Sequence, residues 1–454
     1  MKSWFMRHQI VDNNEYGSAA MSSTHSRSLV VAYQSANGEI RVNLPELLFL
    51  STWVFALLHL LVDTATGAVL WQLGLQVPLS QAWKGLLVTV AIFYVCFTSA
   101  RNSMALLGLC LLVLLPSLLR FIGQGDTDEL ATTLILAFKL ILPVAMFSFI
   151  SATSGTQSAN SLFLANLTLT VSCFVLALNL FVGALGYGFT SYGTRDAAGL
   201  GVIGFFPAGN EVSATLLALA AYAMTKAWLK SLTAYLLACL GALAAAVLIV
   251  TKAAILGTLL LMLVIPVSYS TYSAGKVIRF GGLLLTAIVI GAILAFWQHW
   301  DYLDVSQLGD RLRYIYGRQG LLGVLLSGRD ASVAALVDQA SAFSLFDSIF
   351  GIGPTGLSAI DLKTTIEVDP LDVYLWFGLP GLALGAALFS QYFLVSVRGL
   401  ACGASSIGPG VFAANVVLFG VSLVAGHVFF AGMAGIAIST LNGIALLEQQ
   451  RNRV

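Results

Sequence analysis

The sequence predicts an all-α, polytopic integral membrane protein of about twelve spanning helices, with one large polar loop between the ninth and tenth. Three observations predict it. Of 454 residues, 58% are hydrophobic and only 9% are charged, against roughly 25% charged in average soluble domains. Mean hydropathy is +0.89. The apolar residues gather in runs of about 17 to 25, long enough to cross roughly 30 Å of hydrocarbon as helices that satisfy their own backbone hydrogen bonds.

Taken in order, residues 1–45 are polar, lack a cleavable apolar core and read as a cytoplasmic tail. Nine runs fill 46–297: near 46–68, 83–99, 103–122, 130–152, 162–187, 209–228, 231–250, 253–272 and 279–297. Residues 298–370 form the polar loop. Residues 371–454 hold the last runs, near 371–396, 409–427 and 429–447, and a cytoplasmic C-terminus. Lys and Arg in short connections set the orientation. Placing the tail inside also puts Arg101, Lys226, Lys230, Lys276, Arg279, Arg398, Arg451 and Arg453 inside. Segments 188–208, Gly-rich with Arg195, and 298–370 then lie outside.

Composition also excludes classes of function. A net charge of +1 offers no bulk attraction to nucleic acid. Cys96, Cys110, Cys173, Cys239 and Cys402 lie in or beside apolar runs with no CxxC, so neither a disulfide framework nor a metal site is predicted. No HExxH or acid-rich cluster is present, so no catalytic metal or cofactor is expected.

The 298–370 loop holds five Lys and Arg and nine Asp and Glu. Its Arg311, Arg313 and Arg318 either present planar forks of donors to phosphate oxygens or pair with Asp301, Asp304 and Asp310 on a solvated loop. Arg329, in SGRDA, stands at a predicted helix start, where the helix dipole already favours anions. RDASVAALVDQASAF has helical spacing and reads as a helix along the membrane surface, broken by GIGPTG.

Lys139, in LILAFKLILPV, is the one charge expected deep in an apolar run, facing substrate or a buried carboxylate. Lys252 is an interface anchor or a ligand. Glu211, in FFPAGNEVSA, is by default a first-turn acid that complements the helix dipole. His427, in VAGHVFF, is polar glue between helices or part of a cavity. In EVDPLDVYLWFGLPG, Pro370 suits a helix start, and Asp369 or Asp372 can cap exposed N–H groups. Glu367 is then left over, a carboxylate able to serve as general base toward a hydroxyl. The GLPG that follows lets helices approach closely.

With GFFPAGNEVSA, TKAAILG, SGRDA, and FGIGPTGLSAI followed by EVDPLDVYLWFGLPG, the sequence resembles the O-antigen ligase and Wzy-type polysaccharide polymerase superfamily of bacterial membranes over about residues 130–445. The resemblance implies a multi-pass protein of the bacterial inner membrane. It implies transfer of a glycan from undecaprenyl diphosphate to a hydroxyl acceptor on the periplasmic face, without a metal. Donor and acceptor would be undecaprenyl-diphosphate-linked oligosaccharides, with a chain-length regulator and a flippase as companion proteins. The family's outer-loop arginines match Arg195 and Arg329, and its TKAAILG lysine matches Lys252. Ligases of the family carry a His-Asn pair shortly before a GxxG; here Glu367 and Val368 stand there, before Gly378 and Gly381. An acid in that place is similar to exopolysaccharide polymerases, so polymerisation is expected. Ligation to a terminal acceptor is the nearest alternative, and transport or flipping of lipid-linked sugars the more distant one.

Overall fold

Apolar runs punctuated by Gly, Pro and polar pairs fold into a bundle of helices. The protein is described by a computed structural model over residues 30–35, 38–124, 127–153, 157–192, 200–270, 329–339, 343–359, 365–402, 405–426 and 430–452, with single residues 275, 276, 278, 280, 281, 317 and 428. A hairpin of β1 (Val30–Ser35) and β2 (Gly38–Asn43) precedes α1 (Leu44–Leu73). Then come α2 (Leu79–Thr98), α3 (Ala100–Gln124), α4 (Thr127–Ala152), α5 (Ser158–Ala184), α6 (Gly209–Lys230), α7 (Leu232–Ile249) and α8 (Lys252–Ser268). Short helices α9 (Arg329–Gln339), α10 (Leu345–Phe350) and α11 (Gly353–Ala359) lead to α12 (Asp369–Cys402), α13 (Gly408–Val424) and α14 (Gly432–Arg451).

Among the described residues, 8 helices are long and apolar enough to cross a membrane: α1 to α7 and α12. Helices α8 and α13 are apolar but shorter. Each run expected from the sequence coincides with a helix except 279–297, most of which lies outside the described residues. Most of the first half of the polar loop, 298–328, also lies outside them.

Helix α14 is the axis of the bundle. It is buried at nearly every position from Gly432 to Leu447 and packs on α4, α5 and α6. Small residues permit this. A Cβ on Gly435 would sit 3.4 Å from the Pro143 ring, and one on Gly443 would meet the Ile150 side chain at 2.6 Å, so side chains of α4 pack directly on the backbone of α14. Two of its polar side chains are bonded inside the protein: Ser439 Oγ to the Tyr392 hydroxyl at 2.7 Å and to Pro143 O at 3.0 Å, and Asn442 Nδ2 to Asn415 Oδ1 at 3.1 Å. A helix enclosed by other helices need not be as apolar as one that faces lipid.

Side-chain bonds tie the loops to one end of the bundle. Asn179 of α5 donates to Thr64 Oγ1 of α1 at 2.7 Å and accepts from Phe205 N at 3.2 Å. Val202 N donates to Leu248 O at 2.7 Å, so the segment after α5 folds back over the ends of α1, α5 and α7. Later in the chain, α10 docks on α12 where the helix breaks at Gly378 (φ 63, ψ −151). A Cβ there would lie 2.0 Å from Ile349 O, which is the close approach expected of GLPG. Pro380, two residues on, cannot donate the backbone bond an unbroken helix would require.

Gly378→Ala should therefore lower the thermal unfolding midpoint in detergent by several degrees, a cost of about 1–3 kcal/mol for a strained backbone and a clash. Gly385, in the same helix with open space around it, is the control: Gly385→Ala should leave the midpoint unchanged or raise it. Equal effects of the two substitutions would contradict this packing.

Candidate functional site

The candidate site is built around the first turn of α12. Pro370 occupies a position whose missing N–H would have no helical partner. The Asp372 carboxylate, buried in that turn, reaches back to accept from Ile366 N at 2.6 Å and Glu367 N at 2.9 Å. Asp369 Oδ2 accepts from Val428 N at 2.9 Å, so the other acid of the turn fixes the connection between α13 and α14. Both acids complement backbone donors.

This folding forces Glu367 into the left-handed region (φ 66), which non-glycine residues adopt at a cost of order 1–3 kcal/mol. Gly426 (φ 61) lies directly against it. A Cβ on Gly426 would be 2.4 Å from the Glu367 carbonyl carbon and oxygen. Strain of this kind persists where the surroundings over-determine it, often at functional positions.

Arg329, the first residue of α9, completes the cluster. Its Nη1 donates to Val424 O at 2.9 Å and its Nη2 to Ala425 O at 3.2 Å, and Nη2 also bonds Glu367 Oε2. Val424 and Ala425 end α13, where carbonyls lacking helical partners and the negative end of the dipole favour a cation. The guanidinium expected to serve the N-terminus of α9 is thus held by the C-terminus of α13 and by Glu367. The Arg329 side chain is 13% exposed and that of Glu367 34%. The pair is closed on the arginine side and open on the carboxylate side.

Lys139, expected to face substrate or a buried carboxylate, meets Glu211, the first-turn acid of α6: Nζ to Oε1 is 2.7 Å. Ser213, two residues on in α6, contacts Thr251 Oγ1 at 2.6 Å, which brings Lys252, the first residue of α8, to the same end of α6. Arg195, Arg311, Arg313, Arg318 and His427 lie outside the described residues. Bridges at Phe189–Gly204 and Tyr192–Leu200 bracket the segment that carries Arg195.

Lys139 is not the one charge deep in the bundle. Lys84 of α2 pairs with Asp63 of α1 at 2.8 Å and donates to Ser80 Oγ at 3.0 Å. Arg120 at the end of α3 and Glu129 at the start of α4 are 7% and 6% exposed. The rule that singled out Lys139, an ionisable side chain inside an apolar run, also identifies Asp63, Lys84 and Arg120, whereas Glu129 falls just before the run near 130–152.

The chain matches no family model, and no curated protein matches it.

Lys139→Met should destabilise the protein by about 1–3 kcal/mol by leaving Glu211 with less compensation, the range being modest because Lys139 is about a third exposed. Adding Glu211→Gln should recover most of the loss in the same unfolding measurement. A double variant as unstable as the sum of the singles would show that the two side chains act independently.

Proposed function

We propose that this chain is a membrane-embedded glycosyltransferase that joins lipid-diphosphate-linked oligosaccharide repeats outside the cytoplasm, as its resemblance to the O-antigen ligase and Wzy-type polymerase superfamily implies. The observation that supports this reading is the meeting of Arg329 with Glu367 from stretches 38 residues apart. A fixed cation and a carboxylate open to solvent stand side by side at the start of an apolar helix. These are the two groups a metal-independent transfer from a diphosphate to an alcohol requires.

In the proposed step, the hydroxyl oxygen of the acceptor sugar attacks the anomeric carbon of the donor. A glycosidic C–O bond forms, and the bond between that carbon and the diphosphate oxygen breaks. The electron pair of the broken bond leaves on the lipid diphosphate, and the hydroxyl proton passes to Glu367. Arg329 stabilises charge as it grows on the diphosphate. The resting ion pair prepares both groups: it keeps the carboxylate oriented, and an arriving diphosphate competes for the guanidinium. Lys139, Glu211 and Lys252 would line the route of the lipid-linked substrate, and Arg195, Arg311, Arg313 and Arg318 would supply further phosphate contacts from the loops.

Reconstitution of the purified protein with a defined lipid-linked repeat tests this, with products sized on a gel. The wild type should give a ladder without an ion gradient. Glu367→Gln and Arg329→Lys should each lower chain growth by about 10²-fold or more while still inserting into membranes. A wild-type ladder from either variant would remove that residue from the reaction. A single addition to a terminal acceptor would point to ligation, and movement of the lipid-linked sugar without new glycosidic bonds to transport.

A further inference from the structure

Arg120, like Arg329, grips backbone carbonyls, and it does so from a helix the candidate site does not use. It lies in LLVLLPSLLRFIGQ, near the end of an otherwise apolar helix. The orientation expected from the short connections puts that end outside, against the bias that gathers basic residues inside. A desolvated guanidinium there is costly unless its donors are used. The side chain of Arg120 reaches across more than 200 residues of sequence: Nη2 donates to Phe350 O at 2.9 Å and also bonds Gly351 O.

The gripped carbonyls are those of Phe350, which ends α10, and Gly351, the first residue of GIGPTG, whose Gly351 and Ile352 link α10 to α11. Gly353 (φ 76) rests against both buried charges: a Cβ there would lie 2.5 Å from Arg120 Nη1 and 2.8 Å from Glu129 Oε1. The link in turn touches α12. Ile352 N donates to Leu375 O at 2.8 Å, and the Tyr374 hydroxyl donates to Ser348 O at 3.0 Å. These α12 residues come directly after Asp372, whose carboxylate folds Glu367 into place. A continuous chain of contacts therefore runs from α3 and α4 through the loop to the turn that carries the candidate carboxylate.

We infer that Arg120, supported by Glu129, is a positioning residue: it latches the 345–359 segment of the loop onto α12 and so fixes the approach of Glu367 to Arg329. It touches no reacting atom. The inference rests on the proposed transfer reaction for its catalytic consequence, but the latch itself does not. Arginine suits the role because one planar group can serve adjacent carbonyls. Both bonds come from Nη2, so lysine, which retains the charge and several donors, can replace part of the grip.

Arg120→Gln, Arg120→Lys and Gly353→Ala should be compared with wild type in nanodiscs by hydrogen exchange of the peptide covering 349–358 and by steady-state chain growth. In Arg120→Gln that peptide should exchange about tenfold faster, while peptides of α14 keep wild-type protection, which distinguishes local release from global unfolding. The same variant should lose about tenfold in kcat with KM little changed, because fewer molecules hold the assembled geometry while substrate contacts remain. Arg120→Lys should recover part of both losses, and Gly353→Ala should resemble Arg120→Gln.

Wild-type exchange at 349–358 in Arg120→Gln overturns the latch whatever the activity. Faster exchange with unchanged kcat overturns the positioning role. Exchange that rises equally in α14 also overturns it, by making Arg120 a general stabiliser. If the wild type forms no glycosidic bond at all, the transfer reaction falls, and exchange at 349–358 still decides the latch.

Discussion

Charge in an apolar bundle is tolerated only where a partner of opposite sign or a set of carbonyls compensates it, and that constraint shapes the loop end of this protein. Lys84 meets Asp63, Lys139 meets Glu211, and Arg329 meets Glu367, each pair joining different elements. Other carboxylates accept from backbone N–H groups, as Asp369 and Asp372 do. Each solution ties one segment to another, so the few charges act as fasteners between stretches far apart in sequence.

These fasteners impose unusual backbone geometry on the residues between them. Asp372 pulls Ile366 and Glu367 back over the start of α12, and Glu367 takes a left-handed conformation that glycine would adopt more readily. Gly426 supplies the surface on which that turn rests. A glutamate kept at a strained position, with a third of its side chain exposed, fits a residue retained for its carboxylate rather than for local folding. At the other end of the first half of α12, the break at Gly378 gives α10 a place to dock.

The helices were legible because lipid and protein interior both reward long apolar runs, and the boundaries of most runs follow the Gly, Pro and polar residues between them. Helix α14 shows the limit of that signal. Its polar and small residues weaken the apolar pattern because it faces other helices rather than lipid, and packing alone gives its Ser439 and Asn442 their partners. Within the site, Glu367, Asp369, Asp372 and Arg329 were legible as chemically unusual residues at helix starts. The grip of Arg329 on Val424 and Ala425 was not, because carbonyls leave no mark in a sequence. Arg120, inside an apolar run, carried the same signal as Lys139, and the carbonyls it bonds lie more than 200 residues away in the loop it holds.

By itself the sequence determined that this is a helical membrane protein with its charge concentrated in a late loop, because those properties depend on composition and on periodicity along the chain. Tertiary structure alone decided which acid meets which base. Pairing depends on where helices end in space, and a chain read in order carries residue types but not the distances between them.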